Sequence, residues 1–294
     1  MHTLSHILVQ VRLRKLGGRH EVEFCLILAA IGLISLLRSE ASEKISLPLA
    51  PQITRADIYV EPCKNEARGT LVLCPGRNGN GQDLIDSPKW IAFAKNENLN
   101  LVGLSFASDD DPQDRGYFDV ASGSGQILLD GLKQAFGSRQ PPLLLFGFSR
   151  GAQFTYSFSR WKPDLVLAWC AYSATKWELP EANVSEPKGI IACGEDDESN
   201  YGFSMLQFLK GRSMAKPWTW VSLAHMGHAW CPSLEDFVRS YFASVLTNPE
   251  NKGIWLDVDT KTTVSPDELQ DHPTLAAWLP NESVAQAWKE VHQP

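Results

Sequence analysis

The chain has 294 residues, enough for one large domain with a substantial core, and its 44% hydrophobic and 21% charged content is that of a globular protein. A formal net charge of −7 argues against a nucleic-acid surface and gives no reason to expect affinity for anionic lipid. There is no internal repeat and no low-complexity tract.

Residues 1–41 differ from the rest. Arg12, Arg14, Lys15 and Arg19 precede an apolar run, Phe24 to Leu37, and Ser39-Glu40-Ala41 then offers small residues at the −3 and −1 positions of a cleavage site. Basic, then apolar, then small is the outline of a secretory signal, and the apolar run of 14 residues is short for a membrane span. The expectation is an exported chain, periplasmic or secreted, with an uncleaved N-terminal anchor as the alternative and no stable membrane span once the leader is removed.

Residues 42–55 read as an exposed lead-in and Ala56–Val60 as an edge strand. Thr70–Cys74 is a short apolar run stopped by Pro75-Gly76-Arg77-Asn78-Gly79-Asn80-Gly81, the pattern of a buried strand followed by a loop. Trp90–Asn96 has helical spacing, Leu99–Phe106 is a second buried strand, and Ala107–Tyr117 is a solvated loop. Over Asp119–Phe136, Ile127, Leu128, Leu132 and Phe136 share one helical face. Strand Leu143–Phe146 and a helix at about 150–160 follow. Then come strand Leu165–Ala171, strand Gly189–Cys193, helix Tyr201–Lys210, strand Trp218–Leu223 and helix Leu234–Leu246. Strands that are continuous apolar runs, alternating with helices, predict a mostly parallel sheet covered on both faces, a three-layer α/β/α sandwich. Residues 250–294 carry Trp255, Trp278, Leu279 and Trp288, and indoles are costly to leave in water, so this extension is expected to pack on the same domain. The organisation predicted is a leader over 1–41, a principal domain over 42–249 and the extension over 250–294.

Of six cysteines, Cys25 lies in the leader; Cys63, Cys74, Cys170, Cys193 and Cys231 show no metal-ligand spacing. Cys74, Cys170 and Cys193 end apolar strands and read as small buried hydrophobes. Export would permit one or two disulfides, with no pairing assignable and at least one thiol left over. Asn183-Val184-Ser185 and Asn281-Glu282-Ser283 match a glycosylation pattern relevant only to a eukaryotic host.

The stretch that carries chemistry is Leu143–Phe146 running into Gly147-Phe148-Ser149-Arg150-Gly151. A Gly-x-Ser-x-Gly between strand and helix puts the serine on a sharp turn that lifts its hydroxyl clear of the sheet. Side chains at Gly147 or Gly151 would crowd the turn. A serine hydroxyl needs a general base, and the base needs an acid to fix its tautomer. Two later strand ends supply candidates: Gly194-Glu195-Asp196-Asp197-Glu198 and Ala224-His225-Met226-Gly227-His228-Ala229-Trp230. The order Ser, acid, His is the one that accompanies a Gly-x-Ser-x-Gly strand-to-helix elbow. A backbone oxyanion hole would use the N–H of Arg150 and a second donor from the loop after Thr70–Cys74, assigned to Arg77 with Asn78 next. Trp230 and Tyr201 are candidate substrate-binding walls, though packing explains such aromatics equally well.

With Gly147-Phe148-Ser149-Arg150-Gly151, Gly194-Glu195-Asp196-Asp197 and Gly227-His228-Ala229-Trp230 in place, the sequence resembles the α/β-hydrolase superfamily over roughly 56–246. It is similar above all to the small, lid-less branch of dienelactone hydrolases and secreted feruloyl and polyester esterases. The resemblance implies Ser149 as nucleophile, Asp197 as acid (three after a strand-ending Gly, with Asp196 or Glu195 as alternatives) and His228 as base in preference to His225. It implies a serine carboxylic-ester hydrolase working through an acyl-enzyme on a small-molecule or polymeric ester, with no metal and no organic cofactor, as a monomer or dimer. Pro75-Gly76 stands where many relatives have His-Gly. Only 48 positions separate Ser149 from Asp197, little room for an inserted cap. The competing expectations are an exported serine peptidase of the same fold and a catalytically silent hydrolase-fold binding protein.

Overall fold

A strand buried on both faces can carry no polar alternation, and β3 (Gly69–Cys74) and β4 (Leu99–Ser108) are buried at every position. They sit inside the sheet of a computed structural model that describes residues 42–109, 115–138, 141–182, 186–271 and 273–291. The predicted leader, most of the acid run at 109–111 and the Asn183 pattern lie outside the described residues. Among the described residues, no helix is long and apolar enough to cross a membrane.

The main sheet has eight strands in the order β1-β2-β4-β3-β5-β6-β7-β8. The remaining members are β1 (Glu43–Ser46), β2 (Ile53–Glu61), β5 (Leu143–Phe148), β6 (Val166–Tyr172), β7 (Lys188–Gly194) and β8 (Trp218–Leu223). From β4 to β8 all pairings are parallel; β1 and β2 are antiparallel additions at one edge. The sequence expectation for this edge is corrected. Ala56–Val60 belongs to the second strand, and the lead-in supplies the true edge strand, β1. Four residues with only Ile45 buried give too short an alternation to be read as a strand.

The connecting helices in chain order are α1 (Gly81–Ile85), α2 (Pro88–Glu97), α3 (Ser124–Phe136), α4 (Arg150–Trp161), α5 (Tyr201–Ser213) and α6 (Pro232–Thr247). On one face, α2 and α6 are tied by Trp90 Nε1 donating to Glu235 Oε1 at 2.6 Å. On the other, α4 and α5 are joined by Gln207 Nε2 donating to the Tyr156 hydroxyl at 2.7 Å. This is the three-layer sandwich. The helix expected over 119–136 is broken: Val120–Ser122 is a 3₁₀ turn, and Gly123, at φ +128°, bends the chain before α3 begins. The short α1 hides in a Gly/Asn-rich stretch; the Asn80 side chain caps it by accepting from Gln82 N–H at 3.2 Å.

Residues 250–291 pack on this frame through β9 (Ile254–Asp257), α7 (Pro266–Asp271), β10 (Ala276–Leu279) and α8 (Glu282–Val291), with β9 and β10 paired antiparallel. Trp278 and Trp288 are buried. Trp288 Nε1 donates to Trp220 O at 2.7 Å, and Arg212 Nε donates to Ala276 O at 2.7 Å while its guanidinium lies 4.0 Å above the Trp255 ring. Asn281, in the second glycosylation pattern, uses its side chain to cap α8, accepting from Val284 N–H at 2.9 Å.

Cys63, Cys74, Cys170, Cys193 and Cys231 are free thiols. Burial pushes Cys74 up to about 12 and Cys193 up to about 11, so at pH 8 neither supplies an appreciable fraction of thiolate, the reactive species. Of these five, only Cys63 is not buried. A thiol-alkylating reagent at pH 8, followed by peptide mapping, is expected to modify Cys63 in the native protein and the other four only after unfolding.

Candidate active site

In an open α/β sheet, ligands bind beyond the carboxyl ends of the strands where the winding reverses. Here β3 leads outward to β4, while β5 leads the other way to β6, so the reversal lies between β3 and β5. Ser149 follows β5, and the loop Pro75–Asn80 follows β3.

Ser149 sits at φ 55°, ψ −121°, directly before α4. A non-glycine residue in such a region costs of order 1–3 kcal/mol and persists only where its surroundings hold it. They do so through backbone bonds: Ser149 N–H donates to Tyr172 O at 2.8 Å, and Ser149 O accepts from Gln153 N–H at 3.1 Å. The flanking glycines are required. A Cβ on Gly147 would lie 2.2 Å from Gly151 O, and one on Gly151 would lie 2.2 Å from Cys74 O. The elbow is therefore wedged against the end of β3, and the N-terminus of α4, with its converging N–H groups and positive dipole end, begins beside the serine.

The structure brings Ser149, His228 and Asp197 together. His228 Nε2 lies 2.9 Å from Ser149 Oγ, and His228 Nδ1 lies 2.8 Å from Asp197 Oδ2. Because an ionised carboxylate only accepts, Nδ1 carries the proton and donates to Asp197, which leaves the Nε2 lone pair facing the serine hydroxyl. Asp197 is 4% exposed, Ser149 8%, and the His228 side chain 38%, so the relay is buried at its acid end and open at its imidazole end. Of the alternative acids, Glu195 instead accepts from Ser222 Oγ at 2.8 Å and Asp196 is exposed. His225, exposed and at φ 56°, forms the turn that delivers His228.

The acid and histidine loops are held to each other by backbone. Glu195 N–H donates to Leu223 O at 3.0 Å and Asp196 N–H to Met226 O at 2.9 Å, with Gly194 so close that a Cβ would lie 2.1 Å from Met226 O. Aromatic rings support the imidazole. Phe148, the residue before the serine, lies against His228 with centroids 4.9 Å apart, and also against Tyr172 at 5.1 Å. The Tyr172 hydroxyl donates to Ala229 O, tying the histidine loop to β6. Trp230 meets Phe146 and Phe148 edge-on at 5.6 and 5.5 Å. Tyr201 faces β8: its ring meets Trp220 at 5.5 Å and its hydroxyl lies 3.0 Å from Ser222 Oγ, contacts that account for it as packing.

The loop after β3 runs alongside Ser149: a Cβ on Gly76 would lie 3.6 Å from Ser149 Cβ. Arg77 and Asn78 form the turn between Gly76 and Gly79, closed by Gly79 N–H donating to Gly76 O at 2.9 Å, with Asn78 at φ 53°. Arg150 stacks its guanidinium 4.3 Å from the Phe118 ring and donates from Nη1 to Gln153 Oε1 at 2.9 Å. Sequence reasoning passed over Arg55, whose Nη2 donates to Asn78 O at 2.6 Å and Gly79 O at 2.7 Å while Nε donates to Ser105 O at 3.2 Å. An arginine on a strand gives no local signal that it clamps a loop 23 residues away. Hydrogen bonds from a charged donor are worth about 1.5–3 kcal/mol, so Arg55→Ala is expected to lower kcat on a short ester about tenfold with the fold intact, measured by steady-state kinetics beside circular dichroism.

No family model matches the chain, and no curated protein matches it. Solved structures do. The chain is similar to a poly(3-hydroxybutyrate) depolymerase from Bordetella parapertussis, at TM-score 0.51 and 16% identity over 78% of this chain and 94% of that one. It is similar to a ferulic acid esterase from the anaerobic fungus Anaeromyces mucronatus, at TM-score 0.53 and 13% identity over 71% and 90%. It is also similar to an arylesterase, at TM-score 0.51 and 11% identity over 78% and 97%. At these identities the likeness is one of fold.

Proposed function

We propose that this chain, which has the α/β-hydrolase fold, is a serine hydrolase that cleaves carboxylic esters through an acyl-enzyme. The observation that carries the reading is the continuous hydrogen-bonded line from Ser149 Oγ through His228 to Asp197, at 2.9 and 2.8 Å. In this mechanism His228 Nε2 takes the Ser149 proton as Oγ attacks the ester carbonyl. Asp197 holds the ring and stabilises the imidazolium that forms. The tetrahedral oxyanion falls to backbone N–H groups, that of Arg150 at the start of α4 and that of Arg77 in the loop after β3; losing one such donor costs roughly 10²–10³ in rate. Collapse expels the alcohol with the proton from His228, leaving an acyl group on Ser149. Water then attacks, giving its proton to His228, and the acid leaves as Ser149 is reprotonated. The half-open imidazole and the Phe148–Trp230 surface beside it suit a substrate that docks from outside, small or polymeric.

The test is a fluorophosphonate probe followed by peptide mapping. Only an activated serine displaces fluoride to form the phosphonyl adduct, so the label is expected on Ser149 in the native protein and not in protein heat-denatured before the probe is added. A native protein that stays unlabelled, or labels elsewhere, rejects the reading. A panel of acyl, feruloyl and acetyl-sugar esters then identifies the acyl group.

A further inference from the structure

Asn200 occupies the position just before α5, and its carbonyl accepts from Ser204 N–H at 2.9 Å as the residue at a helix start should. An asparagine there ordinarily turns its side chain onto the free N–H groups of the first helical turn. This one makes no such bond, and its backbone, at φ −119°, ψ −24°, is not the extended conformation usual for that role. The side chain, 6% exposed, points back instead, and Nδ2 donates to Asp197 Oδ1 at 2.8 Å. Backbone bonds from Asn200 N–H and Tyr201 N–H to Asp197 O, both 2.9 Å, close the turn that makes the two side chains converge.

We propose that Asn200 is a positioning residue for the relay: by occupying Oδ1 of Asp197 it leaves Oδ2 alone to receive His228 Nδ1–H. This rests on the relay being the catalytic one of the preceding subsection. A buried carboxylate has lone pairs on both oxygens to satisfy. Oδ2 faces His228 Nδ1 at 2.8 Å and the Cys193 thiol at 3.8 Å; Oδ1 is met by Asn200. The Asn200 nitrogen also lies 3.2 Å from His228 Nδ1. Both are donors to the same carboxylate, so this is two donors converging on one group. It also fixes which way the amide faces, since the flipped amide would set its oxygen against Asp197 Oδ1. A carboxylate gripped at both oxygens cannot swing, and the imidazole it holds keeps its lone pair on Ser149.

Asn200→Asp separates this role from packing. The side chain keeps its shape, but a second carboxylate would stand 2.8 Å from the buried Asp197, a like-charge contact that costs stability, so rates are compared on protein shown to be folded by circular dichroism, with Asn200→Ala as the second variant. A donor becomes an acceptor facing Asp197. With a charge-assisted bond lost and two acceptors opposed, kcat on p-nitrophenyl acetate is expected to fall about 100-fold, with KM within about twofold, and about tenfold in Asn200→Ala. The low-field proton resonance of His228 Nδ1–H, assigned by its loss in His228→Gln, is expected to move in Asn200→Asp. Parent-like kcat and an unmoved resonance in a folded Asn200→Asp would overturn the proposal, as would a change confined to KM. The ester-hydrolase reading fails separately, if Ser149→Ala retains turnover; the resonance then still decides whether Asn200 holds the relay.

Discussion

Ser149→Ala is expected to cut turnover of short p-nitrophenyl esters by about 10⁴-fold or more, and His228→Ala by a similar factor. The double variant should be no worse than either alone, because residues that act as one device do not contribute independently. Stability should change little. Alanine keeps the Cβ of Ser149, so the strained backbone at φ 55° and its bonds to Tyr172 O and Gln153 N–H are untouched. Steady-state rates beside thermal unfolding curves check both halves. Turnover retained by Ser149→Ala in a folded protein would remove the acyl-enzyme from consideration.

Trp288→Ala is expected to be the most damaging substitution for stability among those considered. The indole is fully buried, its Nε1 donates to Trp220 O at 2.7 Å, and the Lys261 ammonium lies 4.2 Å from its ring. Truncating a buried aromatic to alanine costs about 3–5 kcal/mol. For a domain of this size each kcal/mol lowers Tm by about 2–4 °C, so a fall of roughly 10 °C is expected by calorimetry or circular dichroism. Trp220 lies on β8, which leads directly into the loop carrying His228, so the extension over 250–291 braces the strand that leads to that loop. A Tm within about 2 °C of the parent would mean the extension contributes little to the fold.

The elbow was legible because its chemistry is local. Gly147 and Gly151 are spaced by the geometry of one turn, and both would meet backbone oxygen at 2.2 Å if they carried a Cβ. The apolar runs of β3 to β8 were legible for a related reason: burial on two faces favours apolar residues at successive positions, with polar exceptions such as Thr70 and Asn100 bonded to one another. The edge was not. β1 has one buried residue, and a strand defined chiefly by its partner, β2, has no signature of its own. The break at Gly123 was missed because the apolar face from Ile127 onward is consistent with a longer helix, and one residue at positive φ overrides that pattern.

The sequence by itself determined the layer architecture and the Gly-x-Ser-x-Gly turn, because the steric and hydrophobic demands of each strand, helix and turn are met within a few positions. Among three adjacent acids and two nearby histidines it could only rank candidates. Tertiary structure sets Asp197 beside His228 and leaves Glu195 with Ser222 and His225 in the turn. It also recruited Asn200 and Arg55, whose partners are set by how loops from different strands meet. The physical reason is that a hydrogen bond depends on distance and direction in space, and along the chain such partners carry no common pattern.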